Sequence, residues 1–414
     1  MSEPPDPGDP RVMTGQLWSR FTEALERAGN LVLGEGVPDS PRDRAEGYRY
    51  LTRFLAAGFA TCVELADADY PQFGRMVDVT MPWGLDCPDC LYLYAAVRGD
   101  AIYRIWGNRG GANHIDVQVN YGHFAQGDIA SWGTVSSCNG FDLQLEPDGS
   151  FELLLGGEHP SRRGWGAPPN SNNRNWLPLA PNAEFVLVRQ YFNDWERERP
   201  ADLYIERAGA IYPAPPLRSD QIAARFDRLC MWLERGGALW EQMSRNALSM
   251  PPNTLVVHLP QNSDQRAGMR GQAYGLGNFR CAPDEAVIVE FTPPRCHHWS
   301  VSLANWYWES LDFATRQTSL NGHQAVLDGD GVFRGVIAHE DPGVPNWLDT
   351  AGHRQGTIAP RFLLAESAPV PALRAVRLSE LRDALPAGTP RVDAATRAEL
   401  LARRRQAVLR RYRR

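Results

Sequence analysis

The chain contains no lysine: all 43 of its basic residues are arginine. That excludes a phosphate-loop lysine, a lysine Schiff base, pyridoxal phosphate attachment and a kinase lysine together. No stretch approaches the roughly 20 apolar residues that span a bilayer. There is no HExxH and no GxSxG elbow. The lone CxxC, Cys87-Pro88-Asp89-Cys90, has no second pair at zinc spacing, so it reads as a turn carrying two thiols. Charge is only mildly unbalanced, at −6, which argues against nucleic acid as the main partner. No cofactor or metal motif is visible, and neither is expected.

The chain has 414 residues, 43% hydrophobic and 22% charged, enough for two or three packed units with a sizeable core. Seven scattered cysteines read as reduced, mostly buried thiols. The opening MSEPPDPGDP is acidic and proline-rich, without the basic and apolar segments of a secretory signal. Residues 1–10 are therefore expected to be a disordered lead, and the protein cytoplasmic.

Met13, Leu17, Phe21 and Leu25 draw one helical stripe over 11–29. Ser40-Pro41 suits an N-cap and first turn, with Tyr48, Leu51, Phe54 and Leu55 as the buried face of the next helix. Past residue 75 the period becomes two. In HIDVQVNY, Ile115, Val117, Val119 and Tyr121 oppose His114, Asp116, Gln118 and Asn120, which read as a polar outer face. FDLQLEPDGSFELLLGG reads as a hairpin turning at 147–150, EFVLVRQYF (184–192) as a strand, and SRRGWGAPPNSNNRNW (161–176) as an exposed loop. Ile222, Phe226, Leu229, Cys230 and Leu233 mark a helix capped by Ser219 or Asp220, ended by Pro251-Pro252. The last stretch is a helix with Asp393 as N-cap. Its arginine-rich end is expected to be solvated, with an anionic-surface anchor as the alternative.

The expected class is α+β and β-rich. Two antiparallel β-sandwich or jelly-roll-like units pack together, with a helical N-terminal region, a connecting helix and a C-terminal helix. The expected boundaries are 11–74 helical, 75–215 first β domain, 216–252 linker helix, 253–370 second β domain and 371–414 a tail with a basic helix.

Several segments carry a resemblance: DRAEGYRYLTRFL (43–55), RIWGNRGG (104–111), FVLVRQYFNDWERERPADLYIER (185–207), WSVSL (299–303) and DPGVPNWLDTAGHRQGTIAPRFL (341–363). They resemble the bacterial family named for its DUF1214 domain, which would be the C-terminal β unit here. The resemblance implies two β-sandwich units with helical additions and assigns no reaction.

Chemistry concentrates in PPRCHHWSVSLANWYWESLD, 293–312. On a strand, Trp299, Val301 and Leu303 would form a core face. His298, Ser300 and Ser302, with Trp306 and Trp308 if the strand continues, would share the other. A solvated face rarely carries two tryptophans, so another domain, a partner or a ligand is expected against this one, with plain surface as the remaining reading. His297 and His298 point to opposite faces and so would not share a metal. His114, Asp116 and His123 carry ligand chemistry without a recognised spacing. In NWLDTAGHRQG, Asp349 and His353 would serve acid–base work if brought together, or Asp349 would cap a turn. Arg361 sits in an apolar strand and needs an anion, internal or bound. Arg109 lies in GNRGG, which lacks a dinucleotide-binding context.

The leading expectation is an enzyme of hydrolase or lyase type acting on a hydroxylated or carboxylated small molecule. The substrate would lie between the two β units against Trp306, Trp308 and Trp347, with Arg109 or Arg361 holding an anionic group. His298 or His353 with Glu309, and Asp349, would move protons. A non-catalytic small-molecule or carbohydrate-binding protein is the alternative. A structural or assembly protein, with the aromatic face buried in a homo-oligomer, is the third reading.

Overall fold

Apolar residues at alternate positions give the strand Ala183–Tyr191 (β7) two faces with different destinations. Val186 and Val188 enter the core between two sheets; Phe185 and Leu187 enter a second core shared with helices, and Arg189 and Tyr191 continue that second face. The computed structural model describes residues 6, 8–157, 175–260 and 268–413. The segment 158–174, most of the expected 161–176 loop, lies outside the described residues, as does most of the 1–10 lead.

The first β unit holds Cys90–Ala96 (β1), Tyr103–Asn108 (β2), His114–Tyr121 (β3), Gly133–Asn139 (β4), Ser150–Gly156 (β5), Trp176–Pro178 (β6), β7 and Asp202–Arg207 (β8). They form two sheets, in the orders β1-β7-β3-β4 and β6-β5-β2-β8. The second unit holds Leu255–His258 (β9), Gln272–Arg280 (β10), Glu285–Phe291 (β11), His298–Ala304 (β12), Ser319–Asn321 (β13), Phe333–Ala338 (β14), Trp347–Asp349 (β15), Gln355–Leu363 (β16) and Ala372–Arg377 (β17). Its sheets run β13-β12-β16-β10-β9 and β15-β14-β11-β17.

Set β10 to β17 against β1 to β8 and the two orders coincide, with β9 as an added edge strand. Even the one parallel pair recurs, β5 with β6 and β14 with β15. Local details repeat as well. Cys87 N–H donates to the Tyr92 hydroxyl at 3.1 Å, and Met269 N–H donates to the Tyr274 hydroxyl at 2.7 Å. Tyr92 pairs with Arg189 across β1/β7, and Tyr274 with Arg361 across β10/β16. Among the described residues the chain is an internal repeat of one eight-stranded unit.

Each unit has its own apolar interior, with Ile115, Val117 and Leu153 in the first and Val289, Val301 and Phe362 in the second. The expected polar outer face of β3 is not outer: His114, Asp116, Gln118 and Asn120 are all buried. The inner sheets turn such faces toward each other. Tyr191 donates from its hydroxyl to Gln272 Oε1 at 3.0 Å, and Gln118 Nε2 to the Gly268 carbonyl at 3.0 Å. Asp89, in the turn before β1, accepts from Trp195 Nε1 at 2.8 Å and Asn321 Nδ2 at 2.7 Å, and lies 3.7 Å from His298 Nε2. A period-two pattern distinguishes faces but not solvent from a second polar sheet.

Helices cover one side of the joint. Ser40 caps Pro41–Gly58 as expected, accepting from Asp43 N–H, but the buried face is Tyr50, Phe54 and Ala57; Tyr48 is exposed. Gly47 lets this helix approach the second unit, since a Cβ there would lie 2.3 Å from the Tyr307 hydroxyl. Of the expected stripe, Leu17 and Phe21 are buried in Gln16–Ala28 with Ala24 and Ala28, whereas Leu25 in that helix and Met13, at the end of the separate short helix Pro10–Met13, are exposed. Ser219–Met231 and Gly237–Ser249 are joined by a π-turn that buries Trp232 against the Phe54 carbonyl. The 147–150 turn forms, but 141–146 is irregular because the Asn175 side chain bonds both N–H and C=O of Gln144. Asp6 and Asp9 are bonded to Ser219.

The C-terminal helix, Ala394–Tyr412, begins at Asp393 as expected, but the solvated reading of its arginines needs correction. Arg397, Arg404 and Arg411, spaced by seven, are buried. Arg397 binds Asp341 and the Val344 carbonyl, Arg404 the Phe313 carbonyl and Ser319, and Arg411 the Pro88 carbonyl. Arg404 and Arg411 each lie 4.3 Å from the Trp195 ring centroid. The helix thus ties the second unit to the first. No helix among the described residues is long and apolar enough to cross a membrane.

Replacing Asp89 by alanine leaves the Trp195 and Asn321 donors without their shared acceptor. The expected cost is about 3 kcal/mol in urea unfolding. A loss below about 1 kcal/mol would show that this buried carboxylate does not hold the units together.

Candidate ligand cavity between the two units

Residues of β7 and β16 line a cavity of about 320 Å³ at the joint between the two units. Arg189 and Arg361, Tyr92 and Tyr274 are among its polar lining residues, one pair from each unit, together with Asp86, Tyr191, His258 and Gln272. Trp83, Trp132, Trp240 and Trp308 supply much of its wall, with Met243 from the helix Gly237–Ser249 and His258 from β9. A mostly apolar concavity with a few converging polar groups is the usual form of a small-molecule site.

The tryptophans arrive from separate elements. Trp240 lies on the helix and stacks on Trp308, with centroids 5.9 Å apart at 27°. Trp83 and Trp132 pack around Trp240 at 5.7 and 6.3 Å. Trp308 is not on a strand. β12 ends at Ala304, and the Asn305 side chain accepts from Tyr307 and Glu309 N–H to form a turn. Trp308 has φ of 56° there, and its carbonyl accepts from Leu85 N–H at 2.7 Å. The expected extension of the strand through 308 is thereby corrected.

Arg361 is held by three neutral oxygens: Ser302 Oγ at 2.9 Å and the carbonyls of Leu85 and Asp86. Arg189 donates to Gln118 Oε1 at 2.7 Å and lies 3.6 Å from Asp116. Burial raises the Asp116 carboxyl to about 6, against the pull of Arg189. Asp86, also lining the cavity, accepts from Ser310 N–H at 2.8 Å and Ser310 Oγ at 2.7 Å. Burial raises its pKa too.

Of the residues singled out in the sequence, Trp308 and Arg361 line this cavity; the others lie elsewhere. Trp306 packs beneath Arg245, and Trp347 is buried in β15 with its Nε1 on the Ala338 carbonyl. Arg109 donates to the Ala112 carbonyl at 2.6 Å. Asp349 pairs with Arg316 at 2.8 Å and accepts from Ala351 N–H, the turn-capping alternative. His298 is enclosed by Asn193, Asp89 and Tyr191, and burial lowers its pKa to about 4. His114 and Asp116 are both buried, but His123 caps a short helix among Phe124, Phe185 and Trp232, so the three do not meet. Among the described residues no cluster of three or more His, Cys, Asp or Glu side chains could hold a metal ion.

His353 and Glu309 do belong to one network, outside the cavity. Arg53 pairs with Glu309 at 2.7 Å, Asn305 Nδ2 bridges Glu309 and Glu46, and Glu46 lies 3.0 Å from His353. Asp43 is 3.3 Å from the other imidazole nitrogen. Burial works against charge on His353, but Asp43 and Glu46 outweigh it and raise its pKa to about 9. Burial raises Glu309 to about 7.

Arg189, Tyr92 and Tyr274 were missed from sequence. The argument that singled out Arg361, a guanidinium inside an apolar strand, applies equally to Arg189 in FVLVRQY. Tyr92 and Tyr274 become visible only once the repeat aligns them.

A solved structure of an uncharacterized protein from Burkholderia cenocepacia is similar, with 31% identity and a TM-score of 0.81, covering 89% of this chain and 99% of that one. A Vibrio parahaemolyticus protein structure gives 12% identity and a TM-score of 0.47 over 80% of this chain and 98% of that one. No protein-family model matches the chain, and a search of the curated proteins returns no match.

A raised imidazole pKa stabilises the fold below the unfolded value near 6.5 and loses that contribution as pH rises through about 9. Glu309 adds a slope of the same sign at lower pH, because its folded state resists ionisation up to about 7. Unfolding free energy is therefore expected to fall between pH 6.5 and 9, by on the order of 3 kcal/mol from His353. In His353→Gln that decline should flatten; an equally steep profile would remove His353 from the account.

Proposed function

The chain belongs to the same family as the Burkholderia cenocepacia protein, and from that premise we propose that it binds an organic small molecule between its two β units. The observation that carries this reading is the cavity itself, lined by four tryptophans and two guanidiniums from both units and the helical layer. Packing for structure alone would fill such a space with side chains, because unfilled volume lowers stability. The ligand would have an apolar body, facing the indoles, and a hydroxyl or carboxyl end at the Tyr–Arg pairs.

Hydrolase- or lyase-type chemistry would have to run on groups that line the cavity. Asp86 is engaged with Ser310, and both tyrosine hydroxyls accept a backbone N–H. His298, Glu309, His353 and Asp349 stand in other contacts. Recognition is accordingly the function that the geometry supports best. Seven unpaired cysteines fit a reducing cytoplasmic setting. We propose further that the family is the DUF1214 one, on the segments quoted above.

Binding to the folded state raises apparent stability. Screening metabolite mixtures should find compounds that raise the melting temperature by several degrees and quench tryptophan emission. Met243→Trp, which fills the cavity from the helix, should weaken such compounds by at least about tenfold. Hits equally strong on Met243→Trp would place binding elsewhere; an absence of hits on the unmodified protein would count against the reading.

A further inference from the structure

The internal repeat allows one half of the cavity to be compared with the other. In the first unit the residue directly opposite Arg189 on the neighbouring strand is Asp116. In the second unit the residue opposite Arg361 is Ser300. Directly opposed residues of an antiparallel pair project to the same side of the sheet. The first unit thus supplies a carboxylate to its guanidinium, 3.6 Å away, and the second does not.

The consequences appear around Arg361. Its three hydrogen-bond acceptors are neutral, and no carboxylate lies within salt-bridge distance of it among the described residues. Ser300 Oγ, where the repeat would place an acid, is buried without a hydrogen-bond partner. Asp86 reaches Arg361 through its backbone carbonyl, while both its carboxylate oxygens are held by Ser310. A buried cation without a counter-charge in contact is costly, and this one borders the cavity. The Tyr274 hydroxyl beside it accepts from Met269 N–H, which leaves its own proton to donate.

We propose, on the reading that the cavity is a ligand site, that its ligand is a carboxylate with its charged end against Arg361 and its apolar body against Trp240 and Trp308. The ligand supplies the acid that the second unit lacks. One guanidinium with two of its arms already engaged matches a single negative charge. A planar or chain-like hydrocarbon body matches the stacked indoles.

The test is a matched series measured by calorimetry on the unmodified protein: 2-naphthoate, 2-naphthylmethanol and 2-naphthylmethylamine, with decanoate and decanol as flexible counterparts. The acids are expected to bind at least tenfold more tightly than the alcohols, and the amine most weakly. Equal or tighter binding of the alcohols or the amine overturns the carboxylate assignment and leaves the cavity reading standing. No binding by any member, with no hit in the metabolite screen, removes both. Ser300→Asp gives the second unit the acid of the first. In the folded variant, acid affinity should fall at least tenfold with alcohol affinity unchanged; unchanged acid affinity overturns the assignment.

Discussion

Two sheets that turn polar faces toward each other face a requirement that most of the donors and acceptors they bury find partners, and that requirement shapes the whole molecule. Tyr191 with Gln272, Gln118 with Gly268, and the Asp89 carboxylate with Trp195 and Asn321 meet it across the joint. Apolar faces would tolerate sliding. Directional bonds fix one register, which in turn fixes where the Tyr–Arg pairs of the two units lie. The C-terminal helix adds to the constraint by inserting Arg397, Arg404 and Arg411 among carbonyls and aromatic rings of both units.

Repetition of one eight-stranded unit explains why the cavity carries two similar polar devices. Duplication places the same tyrosine and arginine at equivalent strand positions, and packing brings both pairs to one space. The halves then differ where chemistry requires it. Asp116 answers Arg189 inside the protein, whereas Ser300 leaves Arg361 facing the cavity without a carboxylate in contact. The helical layer differs too, since Trp240 and Met243 have no counterpart from a repeat and close the cavity on one side.

Much of the architecture was legible in the sequence because local rules decide it. The Ser40-Pro41 and Asp393 caps, the β7 strand and the two β-rich stretches all follow from spacing and turn chemistry. Long-range pairing was not legible. The period-two pattern of β3 identified a polar face but could not say that a second polar sheet would cover it. The strand through Trp308 stops at Asn305 because a side-chain oxygen captures two backbone N–H groups, a choice made by the turn. His353 and Glu309 read as acid–base partners, and they do share a network, but the helix Pro41–Gly58, far earlier in the chain, supplies Asp43, Glu46 and Arg53 to it as ion-pair partners. Arg361 was legible for the reason that still holds: a cation in an apolar strand needs an anion.

The most direct test is a crystal structure of the protein grown with 2-naphthoate. The account predicts density in the space between the two units, with the carboxylate on Arg361 and the ring plane against Trp240 and Trp308. A structure in which Trp240 and Trp308 close that space, or in which the naphthoate lies outside it with Arg361 paired to a protein carboxylate, would contradict it.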